Sequence, residues 1–116
     1  MKYGNTKTSL DGYSFSSKLE ASVYSLLLLQ PFVKVLQVQD HVYLTDARIL
    51  YIPDFKCLKT DTGEIYWVEA KGYSTDVWAI KRRLWKHYGP GRLEVYKGSA
   101  ARPCLSETII PKSNVD

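Results

Sequence analysis

Apolar positions along this chain change period several times, and the changes mark its elements. Leu19, Val23, Leu26, Leu27 and Gln30 recur at helical spacing, which predicts an amphipathic helix from about Ser17 to Gln30. Pro31 ends it, because the residue before a proline avoids helical angles. From Val33 to Val38 the pattern alternates, with Val33, Val35 and Gln37 on one face and Lys34, Leu36 and Val38 on the other, as in a strand. Val42-Tyr43-Leu44 reads as a short strand between turns at Asp40-His41 and Thr45-Asp46-Ala47. A longer strand is expected from Arg48 to Leu58, in which Ile49, Tyr51 and Pro53 alternate with Leu50, Ile52 and Asp54. Proline removes a ladder hydrogen bond, so a bend or a break in pairing is expected beside Asp54.

Asp61-Thr62-Gly63 supplies a hairpin turn, which joins this strand antiparallel to Ile65–Lys71. Ile65, Trp67, Glu69 and Lys71 share one face of that strand, and Tyr66, Val68 and Ala70 share the other. Apolar residues on both faces predict a central, buried strand. Ser74 or Thr75 caps a second helix, with Asp76 in its first turn and Val77, Ile80, Leu84 and Tyr88 as the predicted buried stripe. Gly89-Pro90-Gly91 stops it. Leu93–Tyr96 is a final strand, and a right-handed crossover would lay it parallel to Ile65–Lys71. From Lys97 the chain is rich in Gly, Ser, Pro and Ala, and Leu105 and Thr108-Ile109-Ile110 dock either on the domain or on a second subunit. Residues 1–14 are polar and aperiodic and read as a flexible N-terminal arm, whose Lys2 and Lys7 are available to phosphate. The expectation is a single α/β domain over residues 15–116, with a mixed sheet of four to five strands flanked by two helices.

Composition removes several classes of function. No apolar run approaches the roughly 20 residues of a membrane span. The opening Met1-Lys2-Tyr3-Gly4-Asn5 has no secretion-signal hydrophobic region. Cys57 and Cys104 form no metal- or disulfide-type spacing, so a reducing cytoplasm is the expected location. His41 has no metal-spaced partner and reads as a surface residue. The formal net charge is +4, yet the stretch from Lys71 to Arg92 holds six Lys/Arg against Asp76 alone. A basic segment of this kind is either a solvated helix face or a surface for a polyanion. Trp78 and Trp85 within it either stack on bases or ribose, or belong to a core or a dimer contact.

Three charged residues interrupt the two central strands: Asp54, Glu69 and Lys71. A buried carboxylate is costly unless it is paired or binds a metal, so two of them near a lysine suggest a divalent-cation site. A buried ion-pair cluster without chemistry is the alternative. Glu20 is open to two readings as well. In Ser17-Lys18-Leu19-Glu20 it completes a helix capping box, or it faces the same site as Asp54 and Glu69.

Pro53-Asp54 followed by Glu69-Ala70-Lys71 resembles the motif of the PD-(D/E)xK nuclease superfamily, and Phe15-Ser16-Ser17-Lys18-Leu19-Glu20 resembles the helix that supplies its additional glutamate. The order of these elements, with a basic helix after them, is most similar to the bacteriophage endonuclease I family of Holliday-junction resolvases, over about Phe15 to Ser99. The resemblance implies a restriction-endonuclease-like fold and a homodimer that nicks branched DNA with Mg2+, for which Mn2+ would substitute, in a bacterial or phage-infected cell. It implies Asp54, Glu69 and the Ala70 carbonyl as metal ligands, with Glu20 as a further one. Glu20, Asp54, Glu69 and Lys71 would form the catalytic set, with Lys71 orienting or activating the attacking water. Lys81 would help to hold the scissile phosphate, and Lys18, Arg82, Arg83 and Lys86 would contact DNA. Other endonucleases of the superfamily, from phages or mobile elements, and a DNA-binding protein that does not cut are the competing readings.

Overall fold

The first helix, α1, runs over Lys18–Leu29, with Ser17 as its N-cap and Gln30 as its C-cap, as the apolar stripe predicts. The chain is represented by a computed structural model that describes residues 8–72 and 75–112. Before α1, Thr8–Leu10 (β1) and Tyr13–Phe15 (β2) pair as an antiparallel hairpin, with Gly12 at φ +82° in its turn. Residues 8–14, expected to belong to a flexible arm, are therefore structured. Phe15 is buried and packs with Tyr24 of α1 at 5.2 Å between ring centres, which gives the hairpin its anchor. Lys2 and Lys7 lie outside the described residues.

After α1 come Val33–Val38 (β3), Val42–Tyr43 (β4), Leu50–Tyr51 (β5), Phe55–Lys59 (β6) and Ile65–Ala70 (β7). Asp76–Tyr88 (α2), Leu93–Ser99 (β8) and Arg102–Ile109 (β9) complete the order. Five strands form one mixed sheet in the order β3-β6-β7-β8-β9, and β4 pairs with β5 as a separate two-stranded ribbon. β6 and β7 are antiparallel through the expected hairpin, with Gly63 at φ +79°, and β7 and β8 are parallel across α2, as the crossover argument requires. β9, which composition did not predict, runs antiparallel to β8 and forms the sheet edge.

The two faces of β7 supply two cores. Tyr66, Val68 and Ala70 pack with α1 residues Leu19, Val23, Tyr24 and Leu27. Trp67 packs on the other face with Tyr51, Trp78, Trp85, Leu93 and Val95. Trp85 is fully buried, donates its indole N–H to the Gly91 carbonyl at 2.8 Å and meets Trp67 edge-on. Gly91 passes so close to Trp67 that a Cβ would stand 2.8 Å from Cζ3 and 3.1 Å from the Ile65 carbonyl. Gly91→Ala is expected to destabilise the fold by about 1–3 kcal/mol, read as a lower urea midpoint, because ring and strand must both give way.

Three expectations need correction. Of the stripe expected to be buried on α2, Val77, Ile80, Leu84 and Tyr88, Leu84 alone packs against the core. Val77, Ile80 and Tyr88 are 64%, 56% and 57% exposed, and Trp78 and Trp85 turn inward instead. The tryptophans win because each removes more apolar area from water than a Val or Ile. The single strand expected over 48–58 is two strands in different sheets, with Pro53 fully buried between them. In β3 a register shift between Val35 and Gln37 breaks the strict alternation, so Val38 joins Val33 and Val35 against the core while Gln37 is exposed.

Candidate active site

The β6–β7 register explains how Asp54 reaches Glu69. Phe55 pairs with Val68, so one further step would set Asp54 opposite Glu69 and Pro53 opposite Ala70. Pro53 has no N–H to continue the ladder. There the Asp54 carboxylate stands in for a strand carbonyl, with Oδ2 accepting the Ala70 N–H at 2.7 Å. Its own backbone carbonyl accepts the Gln39 N–H at 2.8 Å, which fixes the main chain on the other side. Asp54 is thus held at both ends, with Oδ1 left over.

Glu69 lies on the α2 face of β7 and is buried. Its Oε1 accepts the Tyr51 hydroxyl at 2.7 Å, and Lys71 Nζ stands 3.5 Å from Oε2. The Lys71 ammonium also sits 4.9 Å from the centre of the Trp78 ring, so the indole face and Glu69 position it together. Glu20 enters from α1. Ser17 Oγ accepts the Glu20 N–H at 3.1 Å, the first half of a capping box, but the Glu20 carboxylate is turned to the Ser16 hydroxyl, which donates to Oε1. Glu20 Oε2 is buried with no hydrogen-bond partner.

Electrostatics set these acids apart. Burial, then the charges of Glu69 and Glu20, hold Asp54 well above the usual carboxylate range, against the Ala70 N–H and Lys71. Burial also pushes Glu69 up, opposed by the Tyr51 hydroxyl and Lys71, and Glu20 pushes it further. Three carboxylates therefore face one ammonium. A divalent cation would cancel the excess negative charge, and the partnerless Glu20 Oε2 is a donor of the kind such a cation takes. Among the described residues no group of three His, Cys, Asp or Glu side chains is arranged to hold a metal as it stands. A magnesium ion needs fewer protein ligands, and two carboxylates with the Ala70 carbonyl would serve one that keeps several of its waters. On donor chemistry the residues fit such an ion.

The site opens into a cleft of about 500 Å³ lined by residues 16–20, 69–72, 75 and 98–100. Lys18 and Lys71 border it, and the N-terminal ends of both helices reach it through Ser17 and Thr75. The β8–β9 turn forms the remaining wall and is tied to α1 by Ser22 Oγ donating to the Ala100 carbonyl at 2.5 Å. The other expected DNA contacts do not gather here. Lys81 Nζ donates to the Leu50 carbonyl at 2.6 Å, and Arg82 is ion-paired with Glu107. Arg83 and Lys86 are exposed farther along α2, beside a separate depression.

Tyr51 was missed by the alternation pattern, which set it on the strand face opposite Asp54. The break at Pro53 cancels that parity. Tyr51→Phe is expected to weaken divalent-cation binding, measured by calorimetry, by about 10–100-fold, since the hydroxyl orients a proposed ligand without being one. Ser16 and the 98–100 turn carried no sequence signal beyond small size.

Fold and site together define a mixed α/β protein with a buried carboxylate cluster at the mouth of its central strands. The chain belongs to the DUF1064 family, described as proteins of unknown function, whose family model matches residues 1–98. The chain matches no curated protein and no solved structure.

Proposed function

We propose that this protein is a metal-dependent DNA endonuclease of PD-(D/E)xK type with a restriction-endonuclease-like fold. The observation that carries the reading is that Glu20, with its partnerless Oε2, Glu69 and Lys71 line one open cleft, with Asp54 buried beside them and within reach of both acids' charges. A purely structural cluster would leave three acids against one base, an arrangement that costs stability and gives nothing in return.

Asp54, Glu69 and the Ala70 carbonyl would hold Mg2+ or Mn2+, with Glu20 as a further donor. When bound, such a cation lowers the pKa of water and offsets charge on the departing oxygen. Lys71, steered by Glu69 and the Trp78 ring, orients the attacking water and neutralises the phosphate. Lys18 and the two helix N-termini draw the phosphodiester into the cleft. Tyr51 and Ser16 keep Glu69 and Glu20 turned toward the reacting group. Arg83 and Lys86 lie outside the cleft and supply at most secondary backbone contacts.

The substrate we favour is branched DNA, cut as a four-way junction by a homodimer, because one chain holds one site and paired nicks require two. Incubation with a four-way junction, a matched linear duplex and a single strand, with Mg2+ and then with EDTA, separates the readings. Symmetric junction nicks that EDTA abolishes are expected. Indiscriminate cutting would point to a general endonuclease of the same chemistry, and binding without metal-dependent cutting would overturn the catalytic reading.

A further inference from the structure

The outward face of α2 carries Val77, Ile80 and Tyr88, all more than half exposed, with Leu84 at its border packed in part against the core. Beside it lies a groove of about 610 Å³ that Ile80, Leu84 and Tyr88 share with Arg82, Arg83, Lys86, His87 and Lys112. Among the described residues no Asp or Glu lines this groove. Thr75 at the cleft and Leu84 in the groove are separated by roughly 14 Å of helix, at about 1.5 Å per residue. The groove is therefore a surface apart from the carboxylate site.

We propose that this basic, apolar groove on the C-terminal half of α2 docks a short acidic segment of a partner protein that presents apolar side chains. Two features favour a peptide over nucleic acid. A phosphodiester backbone satisfies cations but leaves Ile80, Leu84 and Tyr88 in water, whereas an acidic peptide with apolar anchors covers both. Arg82 is already ion-paired with Glu107, whose charge Lys86 also feels, which leaves Arg83 and Lys112 as the cations beside Ile80, Leu84 and Tyr88 rather than a continuous basic track. Apolar anchors within a charged rim are the usual layout of a protein-recognition surface.

Fluorescence anisotropy on the full chain tests this. The probe is a fluorescein-labelled dodecapeptide of Asp and Glu carrying two Phe and two Leu, with a control in which those four are Ser. The apolar peptide is expected to bind at least tenfold more tightly than the control and to weaken as salt is raised. The Ile80→Ser/Tyr88→Ser double variant, altered at exposed positions, should lose at least tenfold in peptide affinity while its circular dichroism and its cleavage of DNA stay unchanged. Arg83→Glu should weaken the peptide as well. Equal binding of the two peptides overturns the proposal. So does a double variant that loses affinity for a labelled DNA duplex instead, which would make the groove a nucleic-acid surface. A wild-type dimer that the double variant dissociates in sedimentation overturns it too, in favour of self-association. Because cleavage is read on the same samples, failure here is distinguishable from failure of the endonuclease reading.

Discussion

Replacing Glu69 with glutamine is expected to lower metal-dependent DNA cleavage by more than about a hundredfold, beyond what loss of a merely orienting partner produces. Binding of a four-way junction, measured in EDTA, should stay within about threefold of wild type. Glutamine keeps the length of the side chain and an oxygen that can accept the Tyr51 hydroxyl, so the packing around β7 has no cause to change. It removes the charge that a divalent cation requires and the acid that steers the Lys71 ammonium. Loss of both cutting and binding, with circular dichroism unchanged, would count against a catalytic role for Glu69.

The second large effect concerns stability without metal. Asp54 and Glu69 are both held above the carboxylate range, chiefly by burial, with Asp54 raised further by Glu69 and Glu20. Such a group binds more protons folded than unfolded. Its favourable contribution is complete below the ordinary carboxylate pKa of about 4 and is lost as pH rises toward the folded value. In EDTA, these two acids should therefore make the protein less stable at pH 7 than at pH 5. Asp54→Asn should raise the metal-free Tm at pH 7, since it removes a buried charge that the Ala70 N–H and Lys71 only partly offset. Asparagine can still accept the Ala70 N–H, so the main-chain anchor survives. Millimolar Mn2+ should raise the wild-type Tm and leave that of Asp54→Asn nearly unchanged. Thermal scans at the two pH values, with EDTA or with Mn2+, read all of these at once.

Much of the fold was legible because local signals agreed. The period of two in β7, the Asp61-Thr62-Gly63 turn and the strand–helix–strand order left few topologies open, and the hairpin brought Asp54 to Glu69 as expected. The acids stood out because burial makes them expensive, a signal that spacing alone does not carry. The faces of α2 were misread because its helical period allows two stripes, 77-80-84-88 and 78-81-85. Counting apolar residues does not weigh an indole against an isoleucine, and the larger rings took the core. β9 was invisible because Pro103, Ser106 and Thr108 dilute its pattern, and its place depends on the register offered by β8. Tyr51 was hidden for a related reason: Pro53 interrupts the strand, and side-chain alternation does not survive the interruption.

A crystal soaked in Mn2+ and measured at the manganese absorption edge tests the central claim most directly. The expected result is an anomalous peak between the Asp54 and Glu69 carboxylates and the Ala70 carbonyl, with the Lys71 ammonium moved off Glu69 Oε2. A cleft without a peak at millimolar Mn2+, with Lys71 still ion-paired to Glu69, would contradict it.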